Sequence, residues 1–349
     1  MELTFNYREI PHRGKGLTYD DVLLVPSFSS VRSRRDPQLT ARLTKHRSVE
    51  APVISANMDT ITEAPMALAM SALGGLGILH RFMSLEDQVK QLVQIKKGGA
   101  LIPAASIGTN EEDRARAQAL VDAGVEVLTI DIAHGHSLQM KETLEWCKAQ
   151  FPKIEIIAGN IASAQAAEDL IDWGADAIKV GIGPGSMCTT RIITGAGVPQ
   201  LTAVAICSHV SEKKGVPVIA DGGIKTSGDV VKALSAGAST VMLGSMLAGT
   251  IESPGEIQHG RKLYRGMASR SAQDSWRGGV PKGMAAEGES TQVSVKGHVK
   301  DVVHEIMGGI RSGMSYMNAM SVAEMKHCAL FMEITSAGFH ESVAHGLRA

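Results

Sequence analysis

Short apolar runs alternate with segments of helical period from residue 51 onward in this chain of 349 residues. Such alternation is typical of repeated βα units, in which helices cover a buried parallel sheet. Strands are predicted at Pro52–Ser55, Leu76–Leu79, Leu101–Ala105, Val125–Asp131, Ile154–Ala158, Ala177–Val180, Val216–Ala220 and Thr240–Leu243. Helices are predicted at Pro65–Leu73, Leu85–Ile95, Glu111–Asp122, Leu138–Gln150, Ser163–Trp173, Leu201–Lys213, Asp229–Ala236 and Val299–Ser312.

Eight strand–helix pairs predict an α/β fold of the closed (β/α)₈ barrel type, with an open doubly wound sheet as the alternative. No linker divides the chain, so we expect a single domain over residues 1–349. The connection from Gly244 to about Lys296 is unusually long and rich in glycine, serine and charge, which predicts a mobile flap over the barrel mouth. Before the barrel, Leu17–Pro26 predicts a strand that caps the barrel bottom.

Composition narrows the classes of function. A net charge of -1 argues against a strongly basic nucleic-acid-binding protein. The sequence contains no run of about 18 apolar residues, which a membrane-spanning helix would need. Four cysteines without paired spacing indicate a reducing compartment, so we expect a soluble, cytoplasmic protein. The sequence contains neither a Cys-x-x-Cys pair nor a His-Glu-x-x-His motif, so it gives no signal for a zinc site.

The loop Gly181–Arg191 reads Gly-Ile-Gly-Pro-Gly-Ser-Met-Cys-Thr-Thr-Arg and follows a predicted strand. Its glycines permit a close approach of backbone to a ligand, and parallel barrels carry their chemistry at this end of the strands. Cys188 is flanked there by hydroxyl side chains, which makes it a candidate nucleophile. By composition alone a free cysteine is more often buried and inert, which is how we interpret Cys147, Cys207 and Cys328, because they lie in helical apolar patterns.

Polar residues follow several other predicted strands. Asp221-Gly222-Gly223 follows the seventh and Gly244-Ser245 the eighth, where barrels commonly bind phosphate through backbone N–H groups. The carboxylate of Asp221 suits the two hydroxyls of a ribose, so a nucleoside monophosphate is indicated, although each glycine pair taken singly also suits a tight turn.

Other candidates have two interpretations. His134 and His136 lack a third ligand at fixed spacing, so a metal site there is disfavoured, and Asp131 is better placed for a polar substrate or cofactor group. Tyr264 suits either a packed aromatic or a phosphate contact, and Glu287 in the flap suits a solvated side chain.

The cysteine loop and five further motifs resemble the IMP dehydrogenase and GMP reductase family, over a stretch from about Leu17 to about Met320. The further motifs are Ser-Ala-Asn-Met-Asp-Thr, Ile-Ala-Asp-Gly-Gly-Ile, Met-Leu-Gly-Ser, Tyr-Arg-Gly-Met and Gly-Gly-Ile-Arg-Ser-Gly-Met-Ser-Tyr. The resemblance implies a catalytic (β/α)₈ barrel, usually a homotetramer, in which Cys188 attacks C2 of a purine nucleotide. It also implies that carbonyls of Gly183, Gly185 and Cys188 hold a monovalent cation such as K⁺. The substrate-binding residues that it implies are Ser186, Asp221, Gly222, Gly223, Gly244, Ser245, Tyr264, Gly266 and Met267.

The sequence of the flap, at about 266–296, distinguishes the two enzymes of the family. Dehydrogenases resemble one another in an Arg-Tyr pair that activates water, and none lies between Met267 and Glu287. Their tandem regulatory CBS insert is also missing after the second barrel unit. The flap contains Gly-Gly-Val followed by Glu-Gly, which resembles reductase flaps. Three features depart from the reductase pattern: Arg-Gly-Met, Gly-Ile-Arg-Ser-Gly-Met, and Met284 at a position where many reductases have arginine.

A GMP reductase is therefore predicted, which converts GMP and NADPH to IMP, ammonia and NADP⁺ through a thioimidate on Cys188. Thr190 and Glu287 are predicted to protonate the leaving amine, because ammonia leaves poorly without an added proton. Cofactor-binding candidates are Asp131, Arg81, Ser312 and Tyr316, with Arg81 assigned to an NADPH 2′-phosphate. The alternatives are an insert-free IMP dehydrogenase that uses NAD⁺, with a group such as Arg277 activating water, and a non-catalytic nucleotide-binding paralogue.

Overall fold

A computed structural model describes residues 3–344, and a closed barrel of eight parallel strands lies at its centre. Four short strands precede the barrel: β1 (Thr4–Phe5), β2 (Val22–Leu24), β3 (Ala41–Arg42) and β4 (Ser48–Val49). The barrel strands are β5 (Val53–Ser55), β6 (Leu76–Leu79), β7 (Ala104–Ile107), β8 (Val127–Asp131), β9 (Glu155–Ile161), β10 (Ala177–Val180), β11 (Val218–Asp221) and β12 (Thr240–Leu243). Three more follow: β13 (Arg261–Arg265), β14 (Ser290–Ser294) and β15 (Phe331–Glu333).

Helices cover the barrel and extend its loops. They are α1 (Ala64–Ala72), α2 (Leu85–Lys97), α3 (Glu111–Asp122), α4 (Leu138–Gln150), α5 (Ala164–Asp172), α6 (Thr190–Thr194), α7 (Gln200–Lys214), α8 (Ser227–Ser235), α9 (Arg270–Arg277), α10 (Val299–Met317), α11 (Val322–Cys328) and α12 (Ser336–Glu341). Local signals fix several ends, as in α2, where the Ser84 hydroxyl accepts from Asp87 N. None of the helices in this described range is long and apolar enough to cross a membrane.

The barrel closes where β12 pairs with β5, with Val241 opposite Val53. Its strands are buried on both faces, which explains their continuous apolar runs. The predicted barrel is confirmed, although some bounds move. The strand predicted from Leu101 begins at Ala104, because Leu101 is exposed in a turn and Pro103 has no N–H for the sheet. The last predicted helix continues beyond Ser312 to Met317.

The amino ends of the barrel strands are covered by the hairpin β3–β4. Its turn bonds Glu155 at the start of β9, through the Thr44 hydroxyl at 2.7 Å and His46 N at 2.9 Å. The prediction that Leu17–Pro26 caps this end is wrong. That segment forms a 3₁₀ helix, Tyr19–Asp21, and then β2, and the Tyr19 ring packs beside Gly223 at the opposite end.

Strand β15 lies between β1 and β2 in a separate antiparallel sheet. Next to this sheet, Glu212 of α7 accepts a hydrogen bond from the Tyr7 hydroxyl at 2.5 Å and pairs with Lys326 of α11 at 3.0 Å. Burial alone would raise the pKa of Glu212, but these two partners outweigh it and lower the pKa to about 2. The Glu212 carboxylate therefore joins three distant segments of the chain.

The predicted long flap contains regular structure rather than a loop alone. Strands β13 and β14 pair antiparallel, and α9 lies between them in sequence. Arg265 at the end of β13 binds Asp59 of the loop after β5 at 2.5 Å, and its other guanidinium nitrogen donates to Ser271 O of α9 at 2.7 Å. Both members of the pair are 12% exposed, so Arg265 anchors the flap helix to the barrel.

Candidate active site

A cavity of about 630 Å³ opens at the carboxyl ends of the barrel strands, under the flap. It is lined by almost every residue that the sequence indicated: Arg81, Asp131, Gly183, Gly185, Ser186, Cys188, Thr190, Asp221, Gly222, Gly223, Gly244, Ser245, Tyr264, Gly266, Met267 and Glu287. Ser312 and Tyr316 are the exceptions. They lie on α10 and do not line the cavity, so the fold of residues 3–344 does not bring them to the other candidates.

Cys188, Thr190 and Glu287 form a hydrogen-bonded chain at one side of the cavity. The Cys188 Sγ lies 3.2 Å from Thr190 Oγ1, which donates to Glu287 Oε2 at 2.8 Å. The backbone holds the flap in this position, because Thr189 N donates to Glu287 O at 3.1 Å. This arrangement offers a route for a proton between the thiol and a flap carboxylate.

Hydroxyl and backbone donors meet at another part of the cavity. The Ser186 and Tyr264 hydroxyls lie 2.9 Å apart, beside Gly244. Burial raises the pKa of the Tyr264 hydroxyl, so it stays protonated and able to donate. Gly222 and Gly223 have φ of 93° and 80°, a conformation that glycine adopts readily. Such a neutral, donor-rich corner suits a phosphate group.

A buried lysine that was not predicted from the sequence lies at the cavity floor. Lys179 of β10 is 2% exposed, and its Nζ lies 2.7 Å from both Asp131 Oδ1 and Asp221 Oδ2. Burial alone would lower the pKa of Lys179, but the two carboxylates raise it. Burial would likewise raise the pKa of Asp131, but Lys179 lowers it. The available signal was a charged residue inside an otherwise apolar strand.

The flap helix adds an aromatic and cationic wall that was not predicted either. The Trp276 ring lies edge-on to Phe82 at 5.1 Å, and the Arg277 guanidinium lies 4.2 Å from the Trp276 centroid. Arg81 stacks on Phe82 at 4.7 Å, and its buried Nε has no hydrogen-bond partner in the part of the chain that is described. A tryptophan in a polar flap was the available signal. The wall suits a second, planar and anionic ligand.

Two groups of residues were considered as metal ligands from the sequence, and the structure describes the surroundings of both. His136 lies 2.7 Å from Asp169 and stacks on Trp173, and residues 3–344 contain no cluster of His, Cys, Asp or Glu suited to a metal. For a monovalent cation the donors would be carbonyl oxygens. In the same range those of Gly183 and Cys188 accept no hydrogen bond, whereas Gly185 O accepts from Cys188 N at 3.0 Å. Free carbonyl oxygens of this kind fit K⁺.

Comparison with known proteins identifies the family from nearly the whole chain. The model of the IMP dehydrogenase / GMP reductase domain matches residues 16–345. This protein belongs to the IMP dehydrogenase/GMP reductase family. The family resemblance found in the sequence is thus confirmed, together with the barrel fold, and α2 follows β6 directly where a CBS insert would stand.

Members of both kinds are similar to this protein. An inosine-5'-monophosphate dehydrogenase of Cryptosporidium parvum is 42% identical, over 95% of this chain and 95% of its own. A GMP reductase of Leishmania donovani is 34% identical, over 97% and 98%. The crystal structure of a GMP reductase variant from Trypanosoma brucei in complex with guanosine 5'-monophosphate has a TM-score of 0.90 and 35% identity, over 95% and 98%. The chain is therefore an oxidoreductase of purine metabolism, and its relatives carry both names.

Proposed function

We propose that this protein is a GMP reductase that uses NADPH to convert GMP to IMP and ammonia. The observation that carries the proposal is the contact of Thr190 with Glu287 beside the Cys188 thiol. A carboxylate joined to the thiol through a hydroxyl suits delivery of a proton to a leaving amine. The flap between Met267 and Glu287 has no Arg-Tyr pair for activating water, which favours deamination over hydrolysis.

In the proposed reaction, Cys188 sulfur forms a bond to C2 of the purine, and the thiol proton passes through Thr190 to Glu287. The same relay returns that proton to the 2-amino group, the C2–N bond breaks, and ammonia leaves a thioimidate on Cys188. The chemistry that bound NADPH supplies is a hydride for C2. The C2–S bond then breaks, and IMP is released as the thiolate is restored.

The remaining cavity residues are assigned to binding. Ser186, Gly222, Gly223, Gly244, Ser245 and Tyr264 hold the phosphate, Asp221 the ribose, and Gly266 and Met267 the base. On the cofactor side, Asp131 and Arg81 face the cavity, whereas Ser312 and Tyr316 remain predictions from the sequence. The free carbonyls of Gly183 and Cys188 favour K⁺ in the cysteine loop. We further propose a single catalytic domain in a cytoplasmic homotetramer.

The second candidate is an IMP dehydrogenase that oxidises IMP to XMP with NAD⁺. It is favoured by the 42% identity to a protein of that name. In such an enzyme Arg277, which lines the cavity, would have to help activate water.

Absorbance of the reduced nicotinamide distinguishes the two reactions. One cuvette contains GMP and NADPH, the other IMP and NAD⁺, both with potassium. A fall in the first with release of ammonia is expected. A sustained rise in the second alone would identify a dehydrogenase, and no change in either would point to the non-catalytic paralogue.

A further inference from the structure

The floor of the cavity is organised around one positive charge. Lys179 is 2% exposed, and its Nζ also contacts Asn160 Oδ1 besides the two carboxylates. Because Asp131 and Asp221 each lie 2.7 Å from the same nitrogen, they hold a close position that like charges would not hold without it. One ammonium therefore stabilises the positions of two carboxylates.

Each carboxylate is also oriented by an amide and keeps a face toward the cavity. Asn57 donates to Asp131 Oδ2 at 2.9 Å, and Asn160 donates to Asp221 Oδ2 at 2.9 Å. Within residues 3–344, Asp221 Oδ1 accepts no hydrogen bond. The side chains of Asp131 and Asp221 are 23% and 22% exposed, and both line the cavity. The network thus engages both oxygens of Asp131 and, in the same range, only Oδ2 of Asp221. Asp221 Oδ1 is left to accept from a ligand, and the exposed edge of Asp131 remains accessible from the cavity.

The two carboxylates belong to different parts of the cavity. Asp221 ends β11 and neighbours the phosphate corner, whereas Asp131 ends β8, and the lining residues Arg81 and Phe82 extend the cavity from there toward the flap. Removing one partner of a buried charge network is costly, because the remaining charges lose their compensation. A change at Lys179 should therefore reach both regions.

We propose that Lys179 is a positioning residue shared by two ligand sites: it fixes Asp221 for the nucleotide ribose and Asp131 for the nicotinamide cofactor. The identity of these ligands rests on the proposed function. Lys179 itself faces the two carboxylates and Asn160, so it acts through them.

Equilibrium binding tests this role without turnover. Dissociation constants for GMP and for NADPH are measured separately by calorimetry on the full chain and on Lys179→Met. Both are expected to rise at least tenfold. The matched control is Lys148→Met, which removes a lysine–carboxylate contact of 2.8 Å with Asp176, just before the same strand β10. Its thermal unfolding temperature should fall, while both dissociation constants stay within twofold of the original.

The single carboxylate variants complete the pattern. Asp221→Asn should weaken GMP more than NADPH, and Asp131→Asn the reverse. Unchanged binding in Lys179→Met, or a loss confined to one ligand, would overturn the shared role. If that variant does not fold, Lys179→Arg takes its place, and both affinities must then fall together. If the unaltered protein binds neither ligand, the proposed reductase fails instead, and the same criteria are applied with IMP and NAD⁺.

Discussion

The relay can be tested by removing the acid of Glu287 while keeping its shape. In the unaltered protein Thr190 Oγ1 lies 2.8 Å from the Glu287 carboxylate, and Glu287→Gln replaces that carboxylate with an amide of similar size. The amide cannot accept and return the proton. General acid–base catalysis typically contributes ~10²–10⁴-fold, so kcat for GMP reduction should fall by that factor, or about 2.7–5.5 kcal/mol.

The assay separates deamination from hydride transfer. GMP with NADPH requires both, whereas IMP with NADP⁺ runs only the hydride step backward and gives a burst of reduced cofactor. In Glu287→Gln that burst should be slow at pH 7 and recover as the pH rises, because hydroxide in the buffer can then accept the proton that the relay would have taken. GMP reduction should not recover, since its amine still lacks an acid.

Glu289→Gln is the matched control, because this exposed glutamate lies two residues further along the flap. Its activity should remain within twofold of the original. Normal GMP reduction by Glu287→Gln, or a recovery with pH that parallels the burst, would refute the proton relay. A burst that is lost at every pH would instead mean that Glu287 positions the flap.

Three further predictions follow from burial and ion pairs. An alkylating reagent should modify Cys188 before Cys147 and Cys207, because burial raises the pKa of Cys147 to about 12 and also raises that of Cys207; peptide mass mapping with and without GMP checks this order. Arg265→Met should lower kcat/KM about tenfold or more by releasing α9, while the far-UV circular dichroism stays unchanged. Glu212→Gln should lower the unfolding temperature at pH 7 but much less near pH 2.5, because stability from a lowered carboxyl pKa is present above the ordinary value and lost as the pH falls toward about 2.

The barrel and most of its mouth were predictable from the sequence. Its strands are apolar throughout because both faces are buried, and the glycine and polar residues that follow them mark the carboxyl ends. Topology then brings residues such as Cys188 and Asp221 together without any need to know their contacts. The cavity was thus encoded in local patterns.

Features that depend on distant partners were not predictable in this way. In strand β13 the lysine Lys262 is buried, at 3% exposed, whereas Leu263 is 40% exposed. This is the reverse of the usual alternation of buried apolar and exposed polar residues, so the sequence pattern did not predict the β13–β14 hairpin. Leu17–Pro26 is apolar enough for a strand, but Thr18 caps a 3₁₀ helix, Tyr19–Asp21, and its N–H donates to Asp21 Oδ2 at 2.7 Å. The role of Lys179 depends on carboxylates that only the closed barrel brings beside it.

The small antiparallel sheet imposes an order on folding. Its central strand is β15, so Thr4 pairs with Met332 and Leu24 with Phe331 only after more than three hundred further residues have been synthesised. The eight barrel strands leave the ribosome earlier and pair with near neighbours in sequence, apart from the closure of β12 on β5. Contacts of such long sequence separation form slowly. During translation, β1 and β2 therefore have no partner strand in their sheet until β15, which follows all eight barrel strands, has been synthesised.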